Sequence, residues 1–133
     1  MDECIDDLNL VDLTIKIGEW GSDRKILQNS TALAQSRKTI EEVHEMIEAA
    51  ARLEQFESMY RVNGAMVSIS VQDELKEGLK DAIGDVFVTL VMAAHCSDLS
   101  VTDCVAQAYN EIKGRKGYLR EDGVFVKEAR NAD

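Results

Sequence analysis

The chain has 133 residues, 25 acidic against 15 basic, a net charge of −10 and no proline. One domain spanning 1–133 is the expectation at this length. So acidic a surface argues against nucleic acid or anionic membrane as a partner. Only 5% of residues are aromatic, which favours long helices over stacked sheets rich in β-formers and turns.

The N-terminal "MDECIDDLNL" is acidic, unlike a secretory leader. The longest apolar stretch, "VFVTLVMAA" (86–94), is far shorter than the roughly 20 residues of a membrane span. Cys4, Cys96 and Cys104 lack metal-ligand spacing and read as free thiols in a reducing compartment. A cytoplasmic protein is expected.

Residues 8–22 carry Leu10, Leu13, Ile15 and Ile17 with mixed periodicity. They predict a short helix ending around Gly18 to Gly21, where Trp20 reads as an anchor over the core rather than a platform for stacking on a base. A capping cluster at Asn29 to Thr31 opens a long helix without a breaker. At about 100° per residue, Ile40, Val43, Met46, Ile47 and Ala50 share its apolar face. Next, "SMYRVNGAMVSISVQ" predicts a turn at Asn63-Gly64 and a strand or irregular loop over "AMVSIS". Ser70 with Asp73 three residues on resembles a capping box for a third helix reaching about Cys96. From Val86 to Met92 that helix is apolar on every side and should be buried all round. A last helix begins after Ser100 and ends near Gly114 or Gly117. The tail offers an Asp122-Gly123 turn and a β-like "VFVK".

The segment "KTIEEVHEMIEAAAR" (38–52) carries the first candidate chemistry. Glu41, Glu45 and Glu48 point away from the apolar face, while Glu42 sits at its border, where an unpaired charge is costly. Taken alone, this is a hydrated amphipathic surface. In "ELKEGLKDAIGDVFVTL", Asp81 and Asp85 stand four apart, on one side of a helix. Asp85 directly precedes the wholly apolar stretch, so its charge needs compensation. A Mg²⁺ ion, which takes oxygen ligands, would neutralise several carboxylates at once; a lysine such as Lys80 or simple exposure would also serve. Two antiparallel helices facing Glu42 and Glu45 against Asp81 and Asp85 would build a divalent-metal site. The basic run Lys113, Arg115, Lys116 and Arg120 in "NEIKGRKGYLR" suits a polyphosphate or equally a cationic helix C-terminus. His44 reads as a surface residue and His95 as the end of the buried helix.

Three ordered motifs carry a resemblance. "KTIEEVHE" resembles the Glu-Glu-x-x-Glu motif of the MazG-like, all-α nucleotide pyrophosphohydrolases. "KDAIGDVFVTL" looks like that superfamily's second-helix motif, and "AYNEIKGRKG" is similar to its third, over a match from about Trp20 to Lys127. The small single-domain versions common in phages are the nearest in form. The resemblance implies an all-α bundle of four to five helices, oligomeric as dimer or tetramer, with a short β-like tail. It implies Mg²⁺, or Mn²⁺, held by Glu42, Glu45 and Asp85, with Glu41 orienting the attacking water or binding a further ion. Asn110, Lys113 and Arg115 or Lys116 would contact the nucleotide, and Lys38 would reach a phosphate. Where the family has Glu three before Asp85, this chain has Ala82, and Asp81 is the available substitute ligand. The implied reaction is hydrolysis of a nucleoside triphosphate to the monophosphate and pyrophosphate. The related phosphoribosyl-ATP pyrophosphatases and a non-catalytic helical oligomer that keeps the acidic face are the competing readings.

Overall fold

Helix α1 (Leu10–Asp23) starts at Asn9, whose side-chain oxygen accepts the Asp12 N–H at 3.0 Å and so satisfies one of the free donors of the first turn. The structure is a computed structural model that describes residues 4–63 and 69–129. A 3-10 turn, Ile5–Asp7, precedes α1. Gly18 and Gly21 lie inside α1 and are buried, so they do not end the helix as their usual role as breakers predicts. The chain turns instead at Lys25, in the left-handed conformation with φ 64°, into the single turn α2 (Ile26–Asn29).

Thr31 resolves the predicted capping cluster. Its hydroxyl accepts the Ala34 N–H at 3.0 Å at the start of α3 (Ala32–Asn63). Helix α4 is described from Ile69 to Cys96, so Ser70 lies within the helix and is not its cap. The predicted Asn63-Gly64 turn and the "AMVSIS" strand or loop fall on residues 64–68, outside the described residues, save that Ile69 and Ser70 are helical. Beyond α4, Asp98 takes φ 55° and the Leu99 N–H reaches back to the Ala94 carbonyl at 2.9 Å, a left-handed helix stop. Helix α5 (Val101–Ile112) follows Ser100 as expected.

The chain forms two compact units, Met1–Val101 and Thr102–Asp133. In the first, α3 packs along α4, and α1 and α2 pack on α4 as well. The pairing is antiparallel: Thr39 meets Thr89, and three residues on Glu42 approaches Asp85. The core sits on the second half of α4, with Val91, Met92, Ala94 and Val101 buried and Ile17, Ile26, Leu27 and Phe87 around them. That half is not buried all round, because Leu90 is 43% exposed. The predicted apolar face of α3 is likewise split. Val43 and Met46 are half-buried, while Ile40, Ile47 and Ala50 are exposed.

In the second unit β1 (Gly117–Leu119) pairs antiparallel with β2 (Phe125–Lys127), Tyr118 opposite Val126. The predicted Asp122-Gly123 turn joins them. Gly123 has φ 86°, which glycine adopts without steric cost. Arg120 pairs with Asp122 and, through that hydrogen bond, holds its carboxyl below the usual range. The protein is therefore mainly helical with one small hairpin. No single helix among the described residues is long and apolar enough to cross a membrane.

Candidate metal centre

Two hydroxyls fix the rotation of α3 against α4. Thr39 Oγ1 and Thr89 Oγ1 are 2.7 Å apart, one donating to the other, and the accepting hydroxyl is free to donate to the carbonyl of its own helix, Gln35 at 2.9 Å from Thr39 or Val86 at 2.6 Å from Thr89. Thr89 is 5% exposed, and a buried hydroxyl without a partner is costly, so this rotation is well determined. It carries Glu42, one turn on from Thr39, and Asp85, one turn back from Thr89, to the same flank of the helix pair.

There, one oxygen from each of Glu42, Glu45 and Asp85 lies within 4.8 Å of the others. Glu42 is the most enclosed, its side chain 13% exposed. Lys38 bridges the rim, 2.9 Å from Glu41 Oε2 and 3.3 Å from Glu42 Oε1. Glu45 is held above the ordinary carboxylate range, chiefly by the charge of Glu42 and a hydrogen bond with it, then by desolvation. Burial, followed by the charges of Asp81 and Glu42, raises Asp85 as well. Lys38 opposes both shifts and is itself raised by Glu41 and Glu42.

The donor set fits a hard divalent cation. Bonds of about 2.0–2.1 Å to Mg²⁺ put opposite ligand oxygens roughly 4 Å apart. Adjacent ligands of such an ion stand nearer, roughly 3 Å apart, so a triad whose oxygens lie within 4.8 Å of one another would draw together around it, and Glu45, which is exposed, is the least confined of the three.

The structure thus brings together Glu42, Glu45 and Asp85, three of the four ligands predicted from sequence. Asp81 stays outside the triad, although its charge acts on Asp85. It is exposed and lines, with Leu13, Gly84, Val88 and Asp85 itself, a cavity of about 440 Å³ against α1. The reason lies at Ala82, which is 6% exposed. That position lies on the α3 side of α4, two turns before Thr89, so a glutamate there would enter the helix interface, and its neighbour Asp81 is rotated away by about 100°. Glu41 is exposed and paired with Lys38. His44 is exposed, as its wheel direction implies. Trp20 is no core anchor. It is 46% exposed and lines, with Ile17, Asp85 and Val88, a second cavity of about 380 Å³.

Asn110, Lys113, Arg115 and Lys116 belong to the second unit and are all exposed. Arg115 and Lys116 line a cleft of about 780 Å³ with Lys127, Glu111 and Glu128, while Asn110 and Lys113 are not in its lining. Lys127 was hidden from sequence reasoning. It joins Lys116 only because β2 folds back on β1, with the Glu128 N–H donating to the Lys116 carbonyl at 2.8 Å. The Thr39–Thr89 pair was hidden too, since its members are 50 residues apart.

Compared with protein-family models, with curated proteins and with solved structures, the chain matches none.

The raised carboxylates make a prediction about stability. Between the ordinary carboxylate range and the raised values of Glu45 and Asp85, the folded chain binds more protons than the unfolded chain. Its stability therefore falls as pH rises through that window. Glu45→Gln removes one of the repelling charges. In chelator at neutral pH this variant should melt above the wild type, and the gap should vanish below the ordinary carboxylate range. Scanning calorimetry across pH checks it; an unchanged or lowered Tm at neutral pH would show that these charges do not oppose folding.

Proposed function

We propose that the chain hydrolyses ribo- or deoxyribonucleoside triphosphates to the monophosphate and pyrophosphate, with Mg²⁺ or Mn²⁺ as its cofactor. One observation carries the reading: Glu42, Glu45 and Asp85, from two helices and 40 residues apart between Glu45 and Asp85, bring oxygens within 4.8 Å of one another. Carboxylates arranged in mutual repulsion oppose folding unless a cation offsets them, which favours a binding role over a structural one. Bound there, the cation supplies neutralising charge to a phosphate chain and a more acidic water.

The chain's own groups do the rest. Glu42 and Asp85, partly shielded from water, hold the cation on the flank of α3 and α4, and Glu45 completes the set. Glu41, outside the triad and one residue from Glu42, orients the attacking water. Lys38 restrains Glu41 and Glu42 between turnovers and moves to a phosphate oxygen when substrate binds. Asn110, Lys113 and Arg115 or Lys116 are assigned to the nucleotide only by the resemblance of "AYNEIKGRKG" to the third motif of the MazG-like enzymes. Guanidinium and ammonium groups suit pyrophosphate because charge grows on it as it departs.

The test is pyrophosphate release from a panel of ribo- and deoxyribonucleoside triphosphates, with phosphoribosyl-ATP included, in Mg²⁺ and in chelator. Metal-dependent release from at least one nucleoside triphosphate is expected. Release confined to phosphoribosyl-ATP would move the chain to that related activity. No release from any of them would leave a non-catalytic helical protein.

A further inference from the structure

The hairpin sorts the basic run that follows α5. Arg120 is taken by Asp122 in the turn, and Lys113 lies outside the cleft that Arg115 and Lys116 line. Lys127 of β2 joins them there instead. The Glu128 N–H on the Lys116 carbonyl and the pairing of Gly117 with Lys127 hold the two lysines' backbones side by side. That approach requires glycine at 117, because a Cβ there would fall 2.6 Å from Phe125 Cζ. Arg115 is fixed from the helix end, its N–H donating to the Ile112 carbonyl at 3.0 Å. Three cations from two separate stretches of chain therefore line one cleft of about 780 Å³, the size of a small-molecule site. All of it belongs to the second unit, Thr102–Asp133.

Among the described residues none of these three cations has a carboxylate partner, although Glu111 and Glu128 line the same cleft. Elsewhere in this acidic chain Lys38, Lys80 and Arg120 each pair with a carboxylate. A helix dipole accounts for basic residues just beyond its C-terminus, and so for Arg115 and Lys116. It does not account for Lys127, which arrives from a strand. Three cations against two carboxylates leave the lining slightly positive, so a singly charged anion gains little there. Phosphate gains more: it concentrates charge on oxygens that a guanidinium grips in pairs and an ammonium meets as a point charge.

We propose that this cleft binds a phosphate anion of two or more charges, with Lys127 as a binding residue beside Arg115 and Lys116. Anion binding stands on the second unit alone. Assigning the anion to the phosphate chain of a nucleotide rests on the hydrolysis proposed above.

Inorganic pyrophosphate, titrated by calorimetry into the full chain in chelator, probes the cleft without metal or turnover. The wild type should bind it, and Lys127→Gln should weaken binding by about tenfold. Glu128→Gln should tighten it by about threefold or more, because a like charge leaves the cleft; damage to the hairpin cannot produce a gain. Lys76→Gln, exposed on α4, removes the same charge from the other unit and should leave the constant unchanged. A nucleoside triphosphate titrated in the same way separates two sources of the anion. Weakening of both ligands by Lys127→Gln makes the nucleotide's phosphate chain the occupant; weakening of pyrophosphate alone makes it the free anion, and either result supports the cleft. A wild-type chain that binds no pyrophosphate would overturn the proposal. So would an affinity indifferent to Lys127→Gln, or an equal loss in Lys76→Gln. The carboxylate triad is judged separately: metal-dependent turnover that survives a failed pyrophosphate titration leaves the hydrolysis in place, and turnover lost in Glu42→Gln with pyrophosphate still bound leaves the cleft in place.

Discussion

Glu42→Gln and Asp85→Asn should each lower pyrophosphate release by about 100-fold or more and abolish stabilisation by Mg²⁺, with helicity unchanged. The amides keep the shape of the carboxylates, so α3 and α4 can pack as before. What they lose is the charge that a hard cation requires of its ligands. Glu42 is 13% exposed and Asp85 is held up by burial, so surrounding water replaces neither well. Metal chemistry of this kind contributes several kcal/mol to a transition state, and each 1.36 kcal/mol is about tenfold in rate. A cation at about a hundred times its dissociation constant stabilises the fold by about 2.7 kcal/mol, a rise in Tm that thermal melts with and without Mg²⁺ resolve. Asp81→Asn should cost less in both assays, because Asp81 acts on Asp85 only through its charge. Wild-type turnover in Glu42→Gln or Asp85→Asn would remove that residue from the site. Retained turnover with a lost Mg²⁺ shift would separate metal binding from catalysis and overturn the mechanism.

The metal affinity should also weaken as pH is lowered. Glu45 and Asp85 keep their protons to higher pH than ordinary carboxylates, and a cation must displace those protons to bind. Titrations of Mg²⁺ by calorimetry should show proton release, with affinity rising as pH passes through the raised values and levelling above them.

What the sequence made legible and what it hid have separate physical causes. Long helices survive reading because α3 and α4 lack proline and α3 opens on the Thr31 cap; the hairpin survives because Asp122-Gly123 is a strong turn signal between strand-like runs. Convergence of Glu42 with Asp85 was legible because each is a charge at the edge of an apolar face, and two such anomalies tend to answer each other. The face by which α3 docks was not. Its apolar arc from Ile40 to Ala50 is wide enough for two flanks, and a wheel adds them into one. Only the Thr39–Thr89 contact, remote in sequence and neutral in charge, selects Val43 and Met46 for α4 and leaves Ile40 and Ile47 bare. Asp81 stands outside the triad for a related reason. It shares a side with Asp85 by spacing, and both line the cavity against α1, but of the two only Asp85 also comes within reach of Glu42 and Glu45 on α3. Gly18 and Gly21 misled differently, since glycine is usually punctuation and here it gives room for another helix to approach.

That close approach sets the second large effect. Gly21→Val should destabilise the chain by about 1–3 kcal/mol, the range for overpacking a filled core. A Cβ built at Gly21 runs into Met92 Sδ and Cε, and one at Gly18 falls 2.7 Å from His95 Cε1. Met92 is 2% exposed and flexible, but it belongs to the buried cluster of Val91, Ala94 and Val101 against which Ile17 packs, so moving its thioether disturbs that packing. Met92→Ala alone should cost about 2–5 kcal/mol through the cavity it leaves. The double variant is the decisive measurement. Valine at 21 would fill part of the space that alanine opens at 92, so the two losses should fall short of adding by about 0.5–3 kcal/mol, the coupling expected of residues in contact. Denaturant melts of the four proteins give that difference directly. Strict additivity would mean that α1 does not seat Gly21 on Met92. The wall that α1 builds beside Asp85, with Leu13, Ile17 and Trp20, would then lose its support, because it depends on the same crossing.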